Sequence, residues 1–320
     1  MRGRLRAWGL AGLGILALAS CDTAPSAPGT TPKPRPPGLL APPPSPPAAA
    51  RPSARSEQLA FYYQRVQQGL LAQDLLRVDG GGVDTPYNSR NLARNFEKIA
   101  FYEEFAPNSI DGPSGGEALA LERWDQPVRF GVEFGSTIPQ EAQERDTGVV
   151  RDFAKRLSRI TRHPISLVTN NPNFHVFFMG LDDKDYLISR LKQIAPQTNE
   201  AAIVRAFDST KLNYCFVFTF AGGENDYTPE IAIAVIRTEL PALMRSACIH
   251  EELAQGLGLA NDSPRARPSI FNDDDEFALL TTHDEELLRL LYDPALTPGM
   301  SVDEARPVVL QILAGRSGPS

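Results

Sequence analysis

The sequence lacks a surplus of basic residues, which argues against nucleic-acid binding. Its 32 Lys and Arg residues are outnumbered by 39 Asp and Glu residues, which gives a formal net charge of -7. Nucleic-acid-binding proteins usually carry a clustered basic face, whereas the Lys and Arg residues here are scattered along the chain. We therefore expect no nucleic-acid partner.

The phosphate-binding motifs of nucleotide-binding proteins are also missing. Neither a Walker string nor a GxGxxG string occurs in the 320 residues, so nothing in the sequence indicates a nucleotide site. The chain is nonetheless 42% hydrophobic, which is enough for one sizeable globular domain with appendages.

The N-terminal segment has the pattern of a secretory leader. Three arginines within the first six residues precede an apolar run over residues 7–19, which is shorter than the ~20 residues that a membrane-spanning helix needs. The string LASC that closes the leader at Cys21 resembles the bacterial lipobox. This resemblance implies a signal peptide of residues 1–20 and lipidation of Cys21. An ordinary secretory peptide cleaved near Ala19 is the alternative.

Residues 21–53 are expected to form a disordered tether. They consist mostly of Pro, Ala, Ser and Thr, and such a composition cannot bury a core and favours extended polyproline II. A lipid anchor followed by this tether predicts a protein on the periplasmic side of a bacterial membrane. The resemblance to bacterial lipoproteins also implies that Asp22, directly after the cysteine, favours retention at the inner membrane.

Cysteine is scarce, with three residues in the chain. If Cys21 carries the anchor, Cys215 and Cys248 remain as an even pair in an oxidising compartment. A disulfide between them is expected, and two buried free thiols are the alternative.

Hydrophobic periodicity predicts an α+β fold for the rest of the chain. A helical spacing runs from Ser56 to Val78, and a second helix is expected after Pro86. We expect these N-terminal helices, within residues 54–116, to cover a main domain of residues 117–320. Between them the polar residues from Asn108 to Gly116 predict a loop.

After Pro127 the spacing of apolar residues changes to an alternation with polar residues, which predicts a sheet. Strands are expected at 128–134, 165–169, 174–179, 214–220 and 230–237, and helices at 140–162, 183–194, 283–292 and 301–313. Thr282 and Glu285 have the spacing of a capping box for the helix at 283–292. The last strand leads directly into a helix that contains Glu251.

The stretch ACIHEELAQGLGLAND, residues 247–262, combines adjacent carboxylates with a glycine-controlled turn. Read from Glu251 it has the spacing EExxQxxGxxN, which matches HExxHxxGxxH. Positions i and i+4 of a helix share one face and can hold one metal ion, the carboxylate between them can polarise a water, and glycine lets the chain return to the ion. The alternative is an amphipathic helix with a glycine cap, in which His250 belongs to the core.

The strings EELAQGLGLAND and LLYDP also carry a family resemblance. Together with NLARNFEKIAFYEEF upstream, they resemble a bacterial family of unknown function that occurs on secreted proteins and lipoproteins. The pattern of that family is related to metzincin peptidases. The resemblance implies a metzincin-like domain with a mixed sheet and an active-site-type helix.

The metzincin comparison assigns a role to each motif position. These positions are Glu251 at the first metal ligand, Glu252 at the general base, Gln255 at the second ligand, Gly258 at the turn, and Asn261 or Asp262 at the third ligand. Phe271 stands where such peptidases place the methionine of a turn beneath the metal.

The identity of these side chains argues against a peptidase-grade zinc site. Zinc favours imidazole and thiolate, whereas the amide oxygens of Gln255 and Asn261 are weak donors that suit hard cations better. Zinc or another divalent cation is thus not the favoured cofactor. We expect a degenerate peptidase-like domain that binds a peptide or an envelope partner. The alternatives are a metal-dependent hydrolase with Glu252 as general base and a structural envelope lipoprotein.

Overall fold

The computed structural model describes residues 50–102, 118–196, 198–211, 213–221, 227–272 and 274–316. All of these residues belong to one compact unit, Ala48–Ser320. The predicted signal peptide, the predicted lipidation site Cys21, the expected tether up to residue 49 and the loop expected from Asn108 to Gly116 lie outside the described residues.

A five-stranded mixed sheet forms the centre of the fold, as the sequence predicts. Its strands are β1 (Val128–Phe134), β2 (Ile165–Leu167), β3 (Phe174–Met179), β4 (Cys215–Ala221) and β5 (Pro229–Arg237). Their order across the sheet is β2-β1-β3-β5-β4. All neighbouring pairs are parallel except β4, which runs antiparallel to β5 at one edge.

Eight α-helices surround the sheet in the described part of the chain. They are α1 (Ala54–Leu71), α2 (Ser89–Ala100), α3 (Gln140–Thr161), α4 (Lys184–Ile194), α5 (Glu200–Asp208), α6 (Ala242–Gln255), α7 (Thr282–Leu291) and α8 (Val302–Arg316). The fold is therefore a mixed α/β fold. None of the helices in the described ranges is both long and apolar enough to cross a membrane.

The two faces of the sheet carry separate cores, because successive side chains of a strand point to opposite faces. In β3, Phe174 and Phe178 belong to the larger core, while Phe177 and Met179 belong to the smaller one. Helices α2, α3, α6, α7 and α8 pack into the larger core, and α4 and α5 into the smaller one. Helix α6 thus lies on the face that also carries most of the other helices.

Helix α1 ends at Leu71, well before Val78, where the apolar spacing predicts its end. Asp74 and Leu76 have positive φ values of 59° and 58°, which interrupt a right-handed helix. The backbone N–H groups of residues 76 and 77 instead donate to the carbonyls of residues 275 and 276. Long-range pairing therefore overrides the local helical pattern.

The cap of α7 is shifted by one residue from the predicted box. The N-cap is Thr281, whose side chain accepts from the N–H of Asp284 while Asp284 Oδ2 accepts from the N–H of Thr281 at 2.9 Å. The prediction of Thr282 and Glu285 was wrong because Thr281 is fixed by a second contact. Its hydroxyl donates to the carbonyl of Pro268 at 2.8 Å.

Helix α5 has no counterpart in the sequence prediction. Asn199 caps it by accepting from the N–H of Ala202. Its buried residues are Ala202, Ile203, Ala206 and Phe207, a helical spacing that could have indicated the element. The apolar stripe extends over barely two turns, which makes the periodicity weak.

Hydrogen bonds connect helix α1 and its N-cap to the segments that follow β3 and β5. The hydroxyl of Ser56 donates to Glu239 Oε1 at 2.7 Å, and the backbone N–H of Ser53 donates to Asp182 Oδ2 at 2.7 Å. Glu239 Oε1 also accepts from the N–H of Leu181 at 2.7 Å. These contacts hold α1 against the main body of the fold.

Candidate functional site

Helix α6 carries most of the predicted site and is positioned by the strand that precedes it. Strand β5 ends at Arg237, and α6 begins at Ala242 after Pro241, a residue that is favourable next to a helix start. Apolar residues along one side of α6, including Ile249 and Leu253, are fully buried. The helix packs on β4, β5 and α3.

A disulfide joins the edge strand to this helix. Cys215, the first residue of β4, is bonded to Cys248 of α6, with their Cα atoms 5.9 Å apart. Cys248 is buried and Cys215 is half-buried. The cross-link fixes one end of β4 beside the helix turn that carries the two predicted carboxylates.

Glu251 and Glu252 both lie next to this disulfide. One carboxylate oxygen of each residue and the Sγ of Cys215 are all within 4.8 Å of one another. Glu252 is buried and only 4% exposed, whereas Glu251 is half-buried. Side chains of adjacent helical residues point about 100° apart. The approach of both carboxylates to the Cys215 sulfur therefore depends on where β4 lies relative to α6. Among the described residues, these three form the one such group of His, Cys, Asp and Glu side chains.

Gln255 and Gly258 line a small cavity at the other end of β4. Its volume is about 30 Å³, and its lining also includes Thr219 of β4 and Glu122 of the segment before β1. A cavity of this size holds a water molecule or two rather than a substrate side chain. The cavity is therefore too small to enclose a larger molecule.

Asn261 and Asp262 follow the carboxylate pair, in the turn after α6. The side-chain amide of Asn261 donates to the carbonyl of Lys98 at 2.9 Å, and its backbone N–H donates to the carbonyl of Ile99. Asn261 thus ties the turn after α6 to the end of α2. Asp262 is half-buried and is not part of the group formed by Cys215, Glu251 and Glu252.

His250 lies in the core, as the amphipathic-helix interpretation expects. Its Nδ1 accepts from the N–H of Leu280 at 2.9 Å, and its ring stacks on that of Phe153 with centroids 4.0 Å apart. Burial, assisted by the positive charge of Arg156, lowers the pKa of His250 to about 3. The residue is therefore neutral near pH 7 and serves as a structural acceptor.

A buried polar network missed by the sequence analysis holds the turn at residues 269–271. Asp284 accepts from the hydroxyl of Ser269 at 2.5 Å and from the N–H of Ile270 at 3.0 Å. His283 is fully buried, and its Nε2 accepts from the amide of Asn95 at 3.0 Å. Phe271 in this turn is fully buried.

Gly258 occupies a position that other residues cannot adopt without strain. Its φ is +119°, and a Cβ there would lie 2.3 Å from the carbonyl oxygen of Glu122. We expect Gly258→Ala to lower the free energy of unfolding by more than about 2 kcal/mol. Urea unfolding of the variant and the wild type measures this difference.

The matched control is Gly148→Ala inside α3, where a Cβ would meet no heavy atom within 4 Å. That variant should gain roughly 0.5 to 1 kcal/mol from helix propensity. If the two alanine variants unfold at the same urea concentration, the turn at Gly258 is not constrained as the structure indicates.

Comparisons with known proteins place the chain in a family. Neither the comparison with curated proteins nor the comparison with solved structures gives a match. One family, described as a protein of unknown function (DUF2927), matches residues 89–311, a range that begins at α2, contains every strand and ends within α8. The chain belongs to this DUF2927 family.

Proposed function

We propose that the domain binds an extended peptide, or an extended segment of an envelope protein, along strand β4 beside helix α6. The observation that carries this proposal is the position of β4 at the edge of the sheet. In the described residues, β5 is the only strand that pairs with β4. The outer edge of such a strand presents backbone N–H and C=O groups that can pair with another chain.

The surroundings of β4 support this mode of binding. The strand is anchored to α6 at Cys215, and its side chain at Thr219 borders the cavity that Gln255 and Gly258 also line. An incoming peptide would thus find backbone groups on one side and the polar side chains of α6 on the other. A preformed edge also reduces the conformational cost of binding.

The donor groups near α6 do not fit the zinc site of a peptidase. The amide of Asn261 is turned to the carbonyl of Lys98, and the sulfur of Cys215 is bonded to Cys248. Zinc sites in enzymes use three protein ligands, preferably imidazole or thiolate. The close carboxylates Glu251 and Glu252 alone do not supply such a set.

The metzincin-like identity of the domain is part of the proposal. Supporting it are the EExxQxxGxxN spacing on α6 and its turn, and a mixed sheet whose last strand, β5, leads into that helix. The positive φ of Gly258 agrees with the role of the glycine in that spacing. In this proposal the domain has the architecture of a peptidase and binds peptides without cleaving them.

We also propose a lipid-anchored position on the periplasmic side of a bacterial membrane. The leader with its LASC string at Cys21 and the Pro-rich stretch after it support this location. The disulfide between Cys215 and Cys248 agrees with it, since disulfides persist in the periplasm and are rare in the cytosol. Asp22 favours retention at the inner membrane.

The hydrolase alternative keeps one specific observation in its favour. One carboxylate oxygen of Glu251 lies within 4.8 Å of one of Glu252, and close carboxylate pairs can do acid and base chemistry. The two functions differ in the fate of the peptide. A binding domain leaves the peptide intact, whereas a hydrolase cleaves it.

Binding at the edge of β4 is tested with an arrayed library of peptides about ten residues long, which is the upper range of strand lengths. We expect the wild-type chain to select peptides and Thr219→Lys to bind them at least about 10-fold more weakly, because a lysine on an edge strand opposes further pairing. Gln64→Lys adds the same charge at an exposed position of α1 and should bind normally. Equal binding by both variants and the wild type contradicts the proposed site.

A further inference from the structure

Two carboxylates lie beside the disulfide, at distances from one of its sulfur atoms that suit metal ligands. The Sγ of Cys215 and one oxygen each of Glu251 and Glu252 lie within 4.8 Å of one another. Cys248 precedes Glu251 by three positions and Glu252 by four on α6, and residues at these spacings share one face of a helix. Cys248 is not one of the three grouped side chains, but its bond to Cys215 places a second sulfur atom next to the group.

We propose that reduction of the disulfide converts this cluster into a zinc site with Cys215, Cys248, Glu251 and Glu252 as its ligands. A dithiol reductant gives up two electrons and two protons and becomes a disulfide itself, while the bond between Cys215 and Cys248 breaks to give two thiols. Both thiols release their protons to water as they bind the ion, since thiolate is the ligand form.

Three of the four ligand atoms already lie close to the spacing of zinc ligands. Zinc bonds of about 2.3 Å to sulfur and about 2.1 Å to oxygen place neighbouring ligand atoms roughly 3.5 Å apart. The oxygens and the Cys215 sulfur, now within 4.8 Å of one another, need to approach by about 1 Å. The two cysteine sulfurs separate by side-chain rotation, while their Cα atoms can stay 5.9 Å apart.

The partial exposure of the cluster gives a metal ion access to it. Cys215 and Glu251 are half-buried, whereas Cys248 and Glu252 are buried. Two carboxylates at this separation repel each other when both are ionised, and a divalent cation between them removes that repulsion. Two thiolates with two carboxylates also make a complete tetrahedral set for zinc.

Zinc and the disulfide exclude each other at this site, because a sulfur in a disulfide is not a thiolate donor. The disulfide-bonded chain keeps β4 beside α6 by a covalent bond, and the reduced chain keeps it there through the metal. This inference uses the chemistry of the four side chains alone and does not depend on peptide binding.

The test is a zinc titration of the purified full chain against a chromophoric zinc indicator, before and after reduction. A phosphine serves as reductant because it competes weakly for zinc; it takes the oxygen of a water molecule and becomes a phosphine oxide. We expect about one zinc ion per reduced chain and none bound by the disulfide-bonded chain. Cobalt in place of zinc should give the charge-transfer absorption of thiolate ligands in the reduced chain.

Glu251→Gln is the decisive variant, since it retains both cysteines, and circular dichroism of its disulfide-bonded form shows whether it folds. We expect it to weaken zinc binding by the reduced chain by about 100-fold. Asp262→Asn, which removes a carboxylate outside the cluster, should leave the affinity unchanged. Equal zinc affinity before and after reduction would overturn the proposal, as would zinc binding by the reduced chain that is indifferent to Glu251→Gln.

Discussion

Acidification from pH 7 to pH 5 is expected to remove roughly 2 kcal/mol of folding stability through His250 alone. Burial lowers the pKa of this residue to about 3 from an ordinary value of 6.5. Between these values the unfolded chain binds a proton that the folded chain does not, so stability falls as the pH decreases. The contribution is complete above pH 6.5, and its loss approaches roughly 5 kcal/mol near pH 3.

Urea unfolding at several pH values measures this effect, with His250→Asn as the comparison. The asparagine Oδ1 can accept from the N–H of Leu280 as Nδ1 does now, but it does not titrate. We expect the variant to be less stable at pH 7, because it loses the stacking on Phe153, and to lose less stability on acidification. Parallel pH profiles for the two proteins would show that His250 is not the group responsible.

Removal of Arg245 alone is expected to lower the free energy of unfolding by about 3 to 5 kcal/mol. Its guanidinium donates to both carboxylate oxygens of Asp146 at 3.0 and 3.3 Å and also to the carbonyl of Leu240. Arg245 and Asp146 are only 8% and 5% exposed, so Arg245→Met leaves a carboxylate buried without its cation. The pair joins α6 to α3 and thus supports the helix that carries the site.

A double-mutant cycle separates the pair from the loss of either side chain. Asp146→Leu combined with Arg245→Met should recover much of the stability that each single change removes, because no unpaired charge remains buried. The control is Lys155→Met on α3, whose partner Asp152 is largely exposed and whose loss should cost less than about 1 kcal/mol. Additive effects of the two buried changes would contradict the coupling.

The sheet was predictable from the sequence because its strands have a local signature. The alternation of apolar residues gives β1 at Val128–Phe134, and a continuous apolar run gives β3 at Phe174–Met179, both at the bounds predicted. Helix α1 was predicted too long, since its end depends on pairing with residues near Asp275 that lie far along the chain.

The candidate site was predictable only in part, for the same reason. The spacing after Glu251 predicted a helix followed by a turn at Gly258, and the structure has both. The approach of both carboxylates to Cys215 depends on how β4 lies on α6, which no local pattern records. The hydrogen bond between His283 and Asn95 likewise joins two helices that lie far apart along the chain.

We propose above that the outer edge of β4, beside α6, binds peptides and does not cleave them. Mass spectrometry of a peptide selected by the array, after incubation with the disulfide-bonded chain and added zinc, tests this most directly. We predict that the peptide is recovered intact and that Glu252→Gln binds it as the wild type does. Recovery of cleavage products from the wild type, and of intact peptide from Glu252→Gln, would contradict the claim and establish Glu252 as the base of a hydrolase.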